Sequence, residues 1–352
     1  MVFLRKLYRD KTCLQILIIR MKLILFINEI SWEHHLFGGD TLKDKTFNSL
    51  LYTKEKITIG FVGAGKAGFT LGKYMAEHGV HVSGYYSKSN ESAKKASEFT
   101  HTRYYETLEE ILASSDALFL TVPDGAIEDI WNSLKQYSLT DKLICHCSGA
   151  MSSAVFSGID QMGAFGYSIH PLFAIHDRLQ SYREISQAYF TIEGSASYLE
   201  FWTYFFETMG NPVRIIEQQN KILYHSAAVF TSNLVTGLFE TGVRILMECG
   251  FDRTDAEKAL APLFIHNCEN VAMEGAKAAL TGPVERGDER TVLHHLKELS
   301  GEKRDIYISL SRVLTDIAGR KNPDRDYDGI MQILTQNDRK ENNGYEEYSC
   351  NI

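Results

Sequence analysis

Short apolar runs alternate with stretches of helical periodicity through the middle of this 352-residue chain. "KITIGFV" (Lys56 to Val62) is rich in β-branched and apolar residues, as a buried strand should be. "KAGFTLGKYMAEHG" carries apolar residues at helical spacing and stops on Gly79. "VHVSGYY" (Val80 to Tyr86) predicts a second strand. The alternation continues with "TLEEILASS" as a helix and "DALFLTVPD" (Asp116 to Asp124) as a strand stopped at Pro123. "AIEDIWNSLKQY" is then a helix and "KLICHCSGA" (Lys142 to Ala150) a strand. Such alternation argues for α/β architecture with a parallel, doubly wound sheet. "GAFGYSIHPLFAI" and "QAYFTIEG" predict further strands, followed by a helix from Ser197 to Met209.

From Glu217 the pattern changes. "EQQNKILYHSAAVFTSNLVTGLFETGVRILMECG" keeps a helical period for about nine turns and ends at Gly250. Helices are expected at Arg253 to Glu274, Glu289 to Leu299 and Glu302 to Arg320, with no strand signal between them. The expected division is an extension over residues 1–55, an α/β dinucleotide-binding domain over 56–216, an all-helical domain over 217–320 and a polar, frayed tail over 321–352.

The opening segment "CLQILIIRMKLILFINEI" (Cys13 to Ile30) is apolar but has Arg20 and Lys22 at its centre, which argues against a spanning helix. No small-residue cleavage site follows it, as a signal peptide would need. A non-native extension from an over-extended start site is the expectation. A net charge of -8 argues against nucleic-acid or anionic-membrane binding. Six cysteines without disulfide-framework density fit a reducing, cytoplasmic setting. His146 between Cys145 and Cys147 suggests a metal at first sight. Successive strand residues point to opposite faces, so these three cannot converge on one ion, and no metal is expected.

Candidate chemistry begins at "GFVGAGKAGF". Strand, Gly63-x-Gly65-x-x-Gly68, helix, strand is the order that dinucleotide binding requires. Gly63 permits the tight turn, Gly65 lets backbone approach a pyrophosphate, and Gly68 lets the helix sit close to the sheet. The exposed amides at the helix start would hold the phosphates, with Gly63, Ala64, Gly65, Lys66, Ala67 and Gly68 as the expected cofactor-binding residues. A glycine-rich connection without a ligand is the alternative. The second strand ends in "YYSKSN", not in the acidic residue that would bond a ribose 2′-hydroxyl. Ser87, Lys88 and Ser89 suit a 2′-phosphate, so NADP is expected ahead of NAD; otherwise Lys88 is a solvated turn residue. Thr121, Val122 and Pro123, with Ser148 and Gly149, fall at strand carboxyl ends, where the nicotinamide side and the substrate mouth are expected.

The motifs "GFVGAGKAG", "FLTVPD", "HCSGAMSS", "SIHPL", "FTIEG", "KILYHSAAVFTSN" and "ALTGPVERGDERTV" run in order from about Ile57 to Leu314. Together they resemble the Rossmann-like oxidoreductases that carry a helical C-terminal domain of unknown function. That group is similar to β-hydroxyacid dehydrogenases, pyrroline-5-carboxylate reductase and deazaflavin-linked NADP reductases. Some members of the closer family act as a second type of ketopantoate reductase, so the resemblance implies reduction of ketopantoate to pantoate as a candidate activity.

Reducing a carbonyl with NADPH also needs a proton source, a polarising group and a hold on the substrate's other polar end. Lys221 and His225 are spaced i, i+4 and share one helix face. Ser232 returns to nearly that face and Asn233 lies to its side. β-Hydroxyacid dehydrogenases place a catalytic Lys and an Asn at this spacing; Lys221 matches the Lys, and His225 stands where the Asn would be. Lys221 is expected to polarise the carbonyl or donate the proton, and His225 to donate or orient. The plainer alternatives are a solvated lysine and an interface histidine. In "LTGPVERGD", Thr281 and Gly282 precede a Pro283 that can start a short helix, and Arg286 could clamp a carboxylate. The resemblance to pyrroline-5-carboxylate reductases points the same way; a plain turn capped by Asp288 is the alternative. His170, in a loop before Pro171, is a further candidate for substrate binding or a structural turn histidine. Two functions fit. One is an NADPH-dependent reductase of a small keto acid, expected as a homodimer through the long helix. The other is an NADP-binding redox sensor or assembly protein without turnover.

Overall fold

The computed structural model describes residues 57–345. Its residues form two compact units, the first ending at Ala228 and the second beginning at Val229. The expected extension over residues 1–55 lies outside the described residues.

In the first unit the strands are β1 (Thr58–Val62), β2 (His81–Tyr86), β3 (Arg103–Tyr104), β4 (Ala117–Leu120), β5 (Leu143–His146), β6 (Phe165–Leu172), β7 (Tyr189–Gly194) and β8 (Val213–Ile215). They form one eight-stranded sheet in the order β3-β2-β1-β4-β5-β6-β7-β8. The helices are α1 (Lys66–Glu77), α2 (Asn90–Thr100), α3 (Leu108–Ala113), α4 (Asp124–Leu134), α5 (Leu199–Glu207) and α6 (Lys221–Thr231), the last of which runs three residues past the division at Ala228. Pairing is parallel from β3 across to β6. The sheet departs from an all-parallel one at β7, which runs antiparallel to β6; β8 then pairs parallel with β7. Because β6 and β7 are antiparallel neighbours, the chain joins them by a loop across one end and needs no crossover helix.

Alternating side chains divide the core between the two faces of the sheet. Phe61, Tyr85, Phe119 and Cys145 pack with Trp202 and Phe205 on one side. Val62, Leu118, Leu120 and Ile144 pack with Ile111, Trp131 and Phe156 on the other. Burial on both faces is why these strands are unbroken apolar runs. The chain order reverses direction between β1 and β4, which pair from Ile59–Ala117 to Val62–Leu120. The crevice beyond their carboxyl ends is the usual ligand position of open α/β sheets.

The second unit contains α7 (Asn233–Glu248), α8 (Arg253–Glu274), α9 (Ala276–Ala279), α10 (Pro283–Arg286), α11 (Glu289–Glu298), α12 (Gly301–Lys321) and α13 (Asp328–Tyr345). Its core gathers Leu280, Val284, Val292, Leu296, Ile308, Ala318, Ile330 and Leu334. Two expectations need correcting. The long helix is interrupted at Ser232, whose φ of -128° and ψ of -78° separate α6 from α7. The run Thr231-Ser232-Asn233 supplies the cause: such short polar side chains compete for local hydrogen bonds, and the Ser232 hydroxyl donates to Asn233 Oδ1 at 3.0 Å. The stretch after Lys321 is not a frayed tail over its described length. α13 buries Ile330 and Leu334, and Tyr327 just before it donates its hydroxyl to the Glu285 carbonyl. The apolar spacing Ile330, Ile333, Leu334 is helical, but the polar residues around it hide the signal.

α7 and α8 pack on one another through Phe239 and Phe264, with ring centroids 5.1 Å apart. Leu234, Leu238, Leu263, Ile265, Val271 and Met273 stay exposed. Among the described residues one stretch, Gln218–Glu248, is long and apolar enough by length and composition to cross a membrane.

Candidate active site

The glycine corner is built from side chains that are absent. Gly63 has φ 106°, a region that side chains strain, and a Cβ there would stand 2.8 Å from the Thr121 carbonyl. At Gly68 a Cβ would meet the Gly63 oxygen at 2.4 Å, so this glycine lets α1 lie against the turn. Gly65 is different in kind. Its added Cβ would meet nothing within 4 Å, so the space it leaves faces outward and is free for an incoming group. Gly65 also caps α1 with extended backbone, no side chain bonds the cap, and the first turn has no acidic residue. Ala64 is buried beneath the turn, and Lys66 and Ala67 begin the helix. The Gly63 amide is spent on the Tyr86 carbonyl at 2.8 Å, so it is not free to hold a phosphate; the amides of the first helical turn and the positive end of a twelve-residue helix suit this corner to an anion.

The neighbouring strand ends divide between scaffold and exposed surface. Thr121 is buried, and its hydroxyl donates to the Gly63 carbonyl at 2.8 Å, tying the β1 turn to β4. Val122 is half-buried, and Pro123 is exposed at the N-cap of α4. After β2, Ser87 is half-buried and Lys88 is exposed. Ser89 caps α2 by accepting the Ser92 amide at 3.3 Å.

A second constellation lies wholly within the first unit, where the β5 and β6 ends meet the start of α6. Lys221 is 1% exposed, and its Nζ has no hydrogen-bond partner. It lies 5.3 Å from the Tyr224 ring centroid. Burial lowers its pKa to about 8, with Glu193, Cys147 and Asp124 pulling it partly back up. His225, one turn on, has a buried Nδ1 that also lacks a partner. His170 Nδ1 lies 2.7 Å from the Tyr224 hydroxyl, and the His170 and His225 ring centroids are 6.4 Å apart. Burial first, then the charge of Lys221, push the His170 pKa down to about 3, so the ring is neutral.

Ser148 is brought to the same place, but its hydroxyl is already engaged. It donates to Asp124 Oδ2 at 2.7 Å and accepts the Ala150 and Met151 amides, which uses its full hydrogen-bonding capacity. It therefore shapes the turn after β5. His146 is buried on the opposite face from Cys145; its Nδ1 accepts the Ser148 amide at 3.2 Å, which leaves Nε2 to donate to the Ser152 carbonyl. Asn233, Thr281 and Arg286 belong to the second unit. Asn233 opens α7, Thr281 is exposed before the four-residue α10, and Arg286 is exposed at that helix's end. Asp288 caps α11 by accepting the Thr291 amide at 3.0 Å.

Sequence reasoning passed over Tyr224, Glu193 and Asp124 as members of this cluster. Glu193 is 3% exposed within β7, and one carboxylate oxygen accepts the Ser153 hydroxyl at 2.9 Å. An acid inside the apolar run "YFTIEG" was the available signal for it, since a buried carboxylate needs a reason to be there.

The sequence of the first unit matches the Rossmann-like domain over residues 44–171, and residues 188–314 match a domain of unknown function (DUF2520). The chain is a Rossmann-like protein with a DUF2520 C-terminal domain. No curated protein matches it by sequence. Among solved structures, a protein from Thermotoga maritima is 26% identical with a TM-score of 0.60, covering 75% of this chain and 99% of its own. A Bacteroides fragilis protein, provisionally named an NADP oxidoreductase, is 22% identical with a TM-score of 0.56, covering 75% of this chain and 100% of its own. A pyrroline-5-carboxylate reductase from Streptococcus pyogenes is 15% identical with a TM-score of 0.52, covering 74% of this chain and 98% of its own. The last two show a shared fold.

Proposed function

We propose that this Rossmann-like protein is an NADPH-dependent oxidoreductase that reduces the carbonyl of a small keto acid, with ketopantoate the first substrate to test. The observation that carries this is the pair of buried nitrogens without hydrogen-bond partners, Lys221 Nζ and His225 Nδ1, one turn apart on one helix. Leaving buried polar groups unpaired costs on the order of 1–3 kcal/mol each. A bound substrate that supplies the missing partner would account for that cost. The names of the structural relatives, an NADP oxidoreductase and a pyrroline-5-carboxylate reductase, support nicotinamide-dependent reduction, the coarser part of this reading.

In this account the amides of Gly65, Lys66 and Ala67 hold the diphosphate, and Ser87 and Lys88 meet the 2′-phosphate that distinguishes NADP from NAD. The nicotinamide, when bound, supplies the hydride. Lys221 donates the proton to the developing alkoxide, and its unpaired ammonium favours an anionic substrate. Ser148 and Thr121 hold the loops in place. Asn233, Thr281 and Arg286 stay candidates on sequence grounds.

A cytoplasmic homodimer belongs to the same proposal. The exposed apolar residues of α7 and α8 suit a second copy better than a bilayer, because Glu240, Arg244 and Arg253 form an ion-pair network on these helices. The four cysteines free among the described residues fit a reducing compartment. NADPH absorbance followed with ketopantoate and a panel of other keto acids tests the activity. Consumption with at least one of them is expected. Tight NADPH binding with no turnover would replace the reductase by a redox sensor.

A further inference from the structure

The register of the sheet places a carboxylate beside Lys221. His146 pairs with Ser168 across β5 and β6, and Ser168 pairs with Glu193 across β6 and β7. Residues directly opposite one another project to the same face, so these three form one polar row. His170 and Thr191 form the next row along. Tyr224 of α6 meets that second row, with its hydroxyl 2.7 Å from His170 Nδ1 and bonded to Thr191 as well. Lys221, one turn earlier on α6, falls within reach of the first row, where the charges of His146 and Glu193 act on it.

The groups facing Lys221 come from five elements. Near neutral pH most of them bring no charge. Burial pushes the Cys147 thiol up to about 12 and also raises the Tyr224 phenol. Burial takes the imidazoles of His146 and His170 down to about 4 and about 3. His225 lies on α6 itself. The carboxylates are Asp124, at the start of α4, and Glu193, of which Glu193 acts on Lys221 more strongly. Both Glu193 oxygens are occupied. Oε1 accepts the Ser153 amide, and Oε2 accepts the Ser153 hydroxyl at 2.9 Å. The neighbouring Ser152 hydroxyl accepts Gln218 Nε2 at 3.4 Å, three residues before Lys221. One loop therefore fixes both the carboxylate and the start of α6. Lys221 Nζ, in contrast, has no hydrogen-bond partner.

We propose that Glu193 is the positioning residue of Lys221: it lends the ammonium a counter-charge through space, while Ser153 occupies both carboxylate oxygens and keeps the two from closing into an ion pair. This rests on the proton-donor role of Lys221 proposed above and adds what keeps that donor loaded. A buried ammonium with no counter-charge sheds its proton. One bonded directly to a carboxylate keeps its proton but spends its donors on the protein. Held apart from Glu193, Lys221 stays charged and its N–H groups stay free for the substrate.

The test uses the full chain labelled with ¹³C and ¹⁵N in lysine. The Nζ signal of Lys221, assigned with Lys221→Met, is followed by NMR from neutral pH upwards, beside the pH dependence of kcat/KM. The wild-type midpoint is expected at about 8. In Glu193→Gln, whose side-chain oxygen can still accept from Ser153, the midpoint should fall by about one pH unit. In Ser153→Ala the freed carboxylate oxygen can reach Lys221, so the midpoint should rise and kcat should drop roughly tenfold. Opposite movements separate this role from a structural one, which would lower the unfolding midpoint in both variants without moving the titration either way. A midpoint that stays put in Glu193→Gln, or that stays put or falls in Ser153→Ala, would overturn the proposal. Should Glu193→Gln fail to fold, Ser153→Ala decides alone. If no keto acid is reduced, the reductase function fails by itself, and the Nζ titration, which needs no turnover, still decides the Glu193 role.

Discussion

The glycine corner and the Lys221 cluster achieve readiness for a ligand by opposite means. At the corner, side chains are missing: Gly63 and Gly68 would collide with backbone if substituted, and Gly65 opens onto empty space. At the cluster, side chains are present but left without partners: Lys221 Nζ and His225 Nδ1 are buried and unbonded. A corner made of backbone amides recognises what every dinucleotide shares, a diphosphate. A cluster of titratable groups does the selective chemistry.

The sharpest way to break that comparison lies within the corner itself. Gly65→Val should weaken NADPH binding by about a hundredfold, ~2.7 kcal/mol, while the thermal unfolding midpoint stays put, because the added atoms enter open space. Gly68→Val should instead lose about 1–3 kcal/mol of stability, since its Cβ meets the Gly63 oxygen at 2.4 Å. Calorimetric titration with NADPH and thermal unfolding on both variants separate the two roles. Equal effects on binding and stability in both would remove the distinction between them.

The cluster should respond in the reverse manner. Lys221→Met should reduce kcat by about 10²- to 10³-fold in single-turnover assays, with NADPH affinity unchanged. Its unfolding midpoint should hold or rise, because a buried ammonium without a partner is removed. Loss of NADPH binding in this variant would show that Lys221 serves the cofactor instead.

pH offers a further separation. The Lys221 pKa is lowered to about 8, and a proton donor must carry its proton. The group is therefore competent below that value and fails above it. kcat/KM should fall as pH rises through about 8, a limb absent in Lys221→Met. NADPH affinity should show no such limb. The stability change has the opposite sign: the unfolded lysine binds its proton up to its ordinary value of 10.5, so burial of Lys221 costs less as pH rises from about 8 toward it. The smallest expected effect is at the cofactor's far end. Ser87→Ala with Lys88→Ala should weaken NADPH roughly tenfold and leave NADH unchanged, since exposed charge–phosphate contacts are modest. Equal losses for both coenzymes would defeat the NADP assignment.

How much of this was legible in the sequence follows the same division. The corner is local: three glycines, a strand before them and a helix after them stand within a short stretch, and each glycine's role follows from its spacing. Lys221 and His225 were legible because a helix places i and i+4 on one face. Tyr224 was not, since it touches His170 across a chain separation of 54 residues and no spacing rule joins them. Asp124 was hidden for the same reason, whereas Glu193 left a local signal, an acid within an apolar strand. Ser148 and Thr121 were placed correctly at strand ends, but position alone does not reveal that their hydroxyls are spent on loop and turn. The two-residue β3 and three-residue β8 are too short to leave a periodic signal, and the break at Ser232 is a local competition within an otherwise apolar helical pattern.

The central claim is that backbone amides at the β1–α1 corner grip a nicotinamide coenzyme. Isothermal titration of the full chain with NADPH, repeated with Gly65→Val, tests it most directly. A saturable heat with one coenzyme per chain in the wild type, and its loss in the folded variant, is the predicted result. No heat from NADPH or NADH in the wild type would contradict it.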